Sequence, residues 1–101
     1  MTFDVTHDRT NRRFETHVEG QHCVLDYDVL DDNVLEYKRS GDTMIIVHVI
    51  VPDPVGGRGI AAALTKAALE TARTEGWRVV PQCPYAAVYV QRHPMYSDLI
   101  A

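Results

Sequence analysis

Cysteine is scarce in this chain: only Cys23 and Cys83 occur among its 101 residues. Sixty positions separate them, so there is no CxxC pair and no zinc-ligand spacing. The two thiols are expected to be reduced, as in a cytoplasmic protein. The start, MTFDVTHDRTNRRF, lacks the apolar stretch of a secretory signal. No run approaches the ~18 apolar residues of a membrane span, so no membrane partner is expected. A basic excess is missing as well. Ten Lys and Arg face fourteen Asp and Glu, for a net charge of -4, which argues against a general nucleic-acid binder. His7, His17 and His22 show no HxxxH or similar spacing, and no metal site is expected.

What is present fits one globular α+β domain over residues 1–101. Apolar residues make up 46% of the chain, and a domain of this size buries somewhat over ~60% of its unfolded surface. "RRFETHVEGQHCVLDYDVL" alternates and breaks at Gly20, which predicts two strands joined at Glu19-Gly20-Gln21. In the second of these, Cys23, Leu25, Tyr27 and Val29 share a face, opposite Asp26 and Asp28. "VLEYKRS" predicts a further strand, with Leu35 and Tyr37 inward. "TMIIVHVIV" is apolar on both faces, as a central strand should be, and Pro52 and Pro54 stop it.

A helix is expected from about Gly57 to Glu75, with Ile60, Leu64, Ala67, Ala68 and Ala72 on its apolar face and Gly76 as its stop. "WRVVPQ" predicts a fifth strand. "CPYAAVYVQRHP" predicts a short helix with Pro84 near its first position, and "MYSDLIA" a tail with one helical turn. The expected architecture is therefore a mixed sheet. A four-strand antiparallel meander leads into a helix, a parallel fifth strand and a C-terminal helix.

Glycine is also uncommon, with six in all, yet Gly56, Gly57 and Gly59 crowd into four positions just before the long helix. The first four N–H groups of a helix have no partner inside it, and the helix dipole adds positive potential there. Without Cβ atoms, a ligand can approach those amides closely. On local chemistry the loop suits a phosphate site, or simply a tight strand-to-helix turn. No Lys-Ser/Thr follows and GxGxxG is absent, so it is neither a Walker A loop nor a dinucleotide fingerprint. His48 is the sole polar side chain in "IIVHVIV", either a satisfied core histidine or a base able to take a proton from an amine. Cys83 ends the fifth strand and starts a helix, either as a small inert core residue or as a thiol activated by the helix terminus.

"VPDPVGGRGIAAAL" resembles the acyl-CoA loop of the GNAT-type N-acetyltransferases, whose pattern is Gln/Arg-x-x-Gly-x-Gly/Ala. Gly59 and Ala61 match its last two fixed positions, and Gly56 departs from the first; Arg58 is a candidate for the missing charge. With "CPYAAVYVQRHPMYSDL", the chain is similar over residues 22–100 to the minimal subfamily of these enzymes.

The resemblance implies a fork where the fourth and fifth strands part. The pantetheine of acetyl-CoA would pair with Val49, Ile50 and Val51, and its pyrophosphate would meet the amides of Gly57, Arg58, Gly59, Ile60, Ala61 and Ala62. The thioester would lie between His48 and Cys83, the implied catalytic residues. Cys83 would carry the acyl group covalently or only shape the site. On the residues themselves, Tyr85, Tyr89, His93 and Tyr96 around the last helix read mainly as packing; Tyr89 or Tyr96 is a candidate to return a proton to the thiolate, and Arg92 a candidate to contact the cofactor's phosphates. The activity implied is acetyl transfer from acetyl-CoA to an amine, a protein lysine or a small amine. The alternatives are a non-catalytic acyl-CoA-binding module and an interaction protein without a ligand.

Overall fold

The alternating segment folds as the hairpin that its pattern predicts. In the computed structural model, which describes residues 3–30 and 42–100, β2 (Arg13–Val18) and β3 (Gln21–Leu30) are antiparallel, with Val18 opposite Gln21. The two residues between them, Glu19 and Gly20, both have positive φ (50° and 79°). That is the backbone twist a two-residue hairpin turn requires. A short β1 (Thr6–Asp8), which the sequence pattern does not announce, adds to the outer edge of β2. His7 of this strand stacks on Phe14 at 4.1 Å and hydrogen-bonds the Tyr27 hydroxyl at 2.6 Å. The expected strand at "VLEYKRS", with Leu35 and Tyr37, lies outside the described residues.

Next comes β4 (Thr43–Ile50), antiparallel to β3, and β5 (Arg78–Pro81), parallel to β4. The sheet order is β1-β2-β3-β4-β5. Between β4 and β5 runs α1 (Ile60–Glu75), capped at both ends by left-handed glycines, Gly59 and Gly76. The helix begins three residues later than expected, because Gly57 and Gly59 (φ 78° and 83°) bend the chain before it. After β5, α2 spans Pro84–Arg92, and the tail is a six-residue 3-10 turn, Pro94–Leu99.

One core forms on one face of the sheet. Phe14, Cys23, Leu25, Tyr27, Met44 and Ile46 supply its floor; Leu64, Ala68, Leu69 and Ala72 come from α1, and Ala86 and Val90 from α2. The apolar stripe expected of α1 is there, except that Ala67 is half-buried while Thr65 is fully buried. The Thr65 hydroxyl donates to the Ala61 carbonyl at 2.8 Å, which satisfies it inside the helix. The tail is tied back to α1. Arg73 reaches both carboxylate oxygens of Asp98 (3.0 Å each) and the Met95 carbonyl (2.6 Å). The buried Tyr96 hydroxyl donates to Glu70 at 2.5 Å. Burial and that hydrogen bond push the Tyr96 phenol up to about 12.

Candidate functional site

The site begins with an interrupted pairing. β4 and β5 run side by side only from Thr43 to Ile46 and from Arg78 to Pro81. The Cys83 N–H then donates to the Ile46 carbonyl at 3.0 Å, and the chain turns away into α2. β4 continues to Ile50 with β3 alone as its neighbour. Its register also shifts there: Asp26 faces His48 while Tyr27 faces Ile46, leaving Val47 unopposed. Such a bulge bends its strand and increases the local twist. The sheet therefore forks at Ile46, as the resemblance implies, and the exposed prong carries His48, Val49 and Ile50.

The glycine loop lies beyond that prong. Ala63 is the first amide of α1 to find a backbone carbonyl, that of Gly59 at 3.0 Å. Among the described residues, the amides from Gly57 to Ala62 have no such partner. Those of Ile60, Ala61 and Ala62 form the first turn of a sixteen-residue helix, where the dipole favours an anion. Apart from the adjoining residues of the chain, no described atom lies within 4 Å of where a Cβ on Gly57 or Gly59 would stand, so the face of the loop is open.

Two concavities of about 210 Å³ each meet here. Val51, Gly56, Gly57, Gly59, Ile60, Ala61, Ala62 and Tyr85 line the first. Ala62, Tyr85, Val88, Tyr89, Arg92 and His93 line the second. Each is small beside the ~300–1,000 Å³ of an enclosed ligand pocket. Joined through Ala62 and Tyr85, they make an open trough along the start of α1 and one face of α2.

The structure thus gathers most of the expected cofactor residues, Tyr89 and Arg92 included, along one trough. Arg58 does not line it. Its guanidinium pairs with Glu19 in the β2–β3 turn, and the pairing holds the Glu19 carboxyl below its usual range. Of the two phenols considered as acids, Tyr96 is buried against Glu70, whereas Tyr89 faces the trough and stacks on His93 at 3.9 Å. Burial raises the Tyr89 and Tyr85 phenols, which keeps both protonated near neutral pH. Tyr85, which the sequence marks only as one of several aromatics, touches both concavities.

Cys83 sits at the crotch of the fork, as the N-cap of α2, and is 7% exposed. His48 is not a core histidine. It projects from the face of the sheet opposite the core, in one cross-strand row with Asp26 and Arg13, and its side chain is 47% exposed. Its Nε2 lies 2.7 Å from Asp26 Oδ2. Arg13 grips the same carboxylate, with Nε 2.7 Å from Oδ1 and Nη2 3.2 Å from Oδ2. Chiefly through that grip, the Asp26 carboxyl is held below the ordinary carboxylate range. The sequence places Asp26 on the polar face of its strand but cannot supply the register that sets it against His48.

Comparison with known proteins bears on the family and the fold. The family model described as GCN5-related N-acetyl-transferase matches residues 13–99. The chain is similar to Protein NATD1 of Mus musculus and of Homo sapiens, each 36% identical over 92 residues. That match covers 90% of this chain and 76% and 74% of theirs, respectively. It is similar to Protein NATD1 of Danio rerio at 32% over 99 residues, covering 95% of this chain and 83% of the relative. Among solved structures, it resembles a ribosomal-protein-alanine N-acetyltransferase from Brucella melitensis biovar Abortus 2308. The TM-score is 0.52 at 21% identity, over 88% of this chain and 60% of that one. That likeness is one of fold, and the chain spans less than two thirds of that structure's length.

Proposed function

The chain belongs to the GCN5-related N-acetyltransferase family, and from that premise we propose that it moves an acetyl group from acetyl-CoA to an amine, a protein lysine or a small amine. The observation that carries the reading is the run of unpartnered amides from Gly57 to Ala62, placed where the sheet forks. Acetyl-CoA, when bound, supplies an anionic diphosphate and a thioester. The loop amides hold the first. The unpaired edge of β4 at Val49 and Ile50, with Val51 just beyond it, holds the arm that leads to the second. Tyr85, Tyr89 and Arg92 border the rest of the molecule.

In the net reaction the amine nitrogen forms a bond to the acetyl carbon, the carbon–sulfur bond breaks, and one proton passes from nitrogen to sulfur. His48 takes the proton from nitrogen. Tyr89, the protonated phenol on the trough, returns one to sulfur. Among the described residues the trough is open, which suits an amine presented on a larger molecule.

A calorimetric titration with acetyl-CoA tests the premise of binding. We expect saturable heat, and an affinity at least about tenfold weaker in Gly59→Val, because a β-branched residue resists φ of 83° and narrows access to the amides. Absence of heat in the unaltered protein overturns the reading. Binding with no amine-dependent release of free thiol, across a panel of amines, favours the non-catalytic module instead.

A second reading of the chemistry rests on the position of Cys83 at the crotch of the fork. There the thiol would first take the acetyl group from sulfur to sulfur and then yield it to the amine. Mass spectrometry after incubation with acetyl-CoA alone separates the two. An acetyl adduct absent from Cys83→Ser supports the acyl-enzyme, and full turnover by that variant excludes it.

A further inference from the structure

Arg13, Asp26 and His48 stand opposite one another on three adjacent strands, β2, β3 and β4, on the face away from the core. Ion pairs of this exposure add little to stability, so the row invites another explanation. Asp26 is gripped at both oxygens by Arg13, and one of those oxygens also meets Nε2 of His48. An ionised carboxylate can only accept a hydrogen bond. The bond at 2.7 Å therefore places a proton on Nε2, so that in the neutral ring the lone pair is on Nδ1.

We propose that Asp26, braced by Arg13, is the positioning residue for His48, fixing its ring orientation and its tautomer so that Nδ1 is the atom that accepts the amine proton. The inference rests on the reading of His48 as the base. A base whose two nitrogens are distinct needs one of them tied down, or part of the population presents the wrong atom. The brace keeps the carboxylate still: Arg13 binds it by two donors in a planar fork, a geometry a single point charge does not impose. The bulge at Val47 contributes by setting the register that aligns His48, rather than its neighbour, with Asp26.

The substitution that tests this is Asp26→Asn, which keeps the shape and replaces one acceptor oxygen by a donor. Long-range nitrogen–proton NMR of the ring, with no substrate present, reads the tautomer. We expect the Nε2–H form in the unaltered protein, and a mixture or the Nδ1–H form in Asp26→Asn. With acetyl-CoA and an amine, we expect kcat to fall by about 10- to 1,000-fold, KM for acetyl-CoA to stay within about twofold, and Asp26→Glu to recover part of the loss. Arg13→Gln, which leaves the carboxylate in place, should lose less than Asp26→Asn.

An unchanged tautomer in Asp26→Asn overturns the proposal, and so does an unchanged kcat. Should His48→Ala be fully active, the base reading fails on its own, while the tautomer measurement still decides whether Asp26 orients the ring.

Discussion

Replacing His48 with alanine will lower kcat for acetyl transfer by about 10²- to 10⁴-fold, the usual worth of a positioned proton acceptor. Its place in the fold makes the experiment clean. The side chain is half-exposed on the face away from the core, so the melting temperature should move by no more than a few degrees. It does not line the trough that borders the glycine loop, so affinity for acetyl-CoA should hold within about threefold. A fall in kcat alone is then a statement about the proton. The loss should exceed that of Asp26→Asn, because the alanine removes the accepting atom rather than misdirecting it. A kcat within twofold of the unaltered enzyme would assign the proton to solvent and take His48 out of the reaction.

The largest effect on stability is expected from Leu64→Ala. Leu64 is completely buried at the centre of the inward stripe of α1. Truncating such a side chain removes its transfer free energy and leaves a void, together about 2–5 kcal/mol. Against a total of roughly 5–15 kcal/mol for a domain, that is a large share. At about 4–8 °C per kcal/mol for a chain of this size, the melting temperature should drop by about 8–40 °C. Urea denaturation should give a lower midpoint at an unchanged slope, the mark of lost stability without a changed unfolded state. A drop under about 5 °C would mean that the neighbouring Ile60, Ala68 and Leu69 close the gap.

These two expectations differ in how far the sequence alone supports them. Leu64 announces itself, because a helix puts residues four apart on one face and Ile60, Leu64 and Ala68 keep that spacing. The same holds for β2 and β3, where alternation sets Phe14, Cys23, Leu25 and Tyr27 inward, and for the Glu19-Gly20 turn. The glycine loop is legible as a turn into α1, whose start the two left-handed glycines delay to Ile60.

His48 is different. A polar residue inside an apolar run reads as a buried exception, yet the bulge at Val47 and the fork leave it on an open face. A bulge is a local change of register that leaves no mark in hydropathy. Asp26 was hidden for a related reason: its partners come from two other strands, and only pairing brings them into one row. Arg58 shows the limit of charge counting, because its guanidinium is taken by Glu19, thirty-nine residues away. The short β1 has too few residues to show a period.

The sheet keeps its strands in chain order, and this bears on how the molecule comes into being. Each of the first four strands adds to the one made just before it, so chain closures are short and cheap. The exception is the parallel pair, where Ile46 must find Pro81 across the whole of α1. That closure spans the most chain and carries the greatest entropic penalty. The fork therefore depends on the longest chain closure in the described sheet, one that α1 must span.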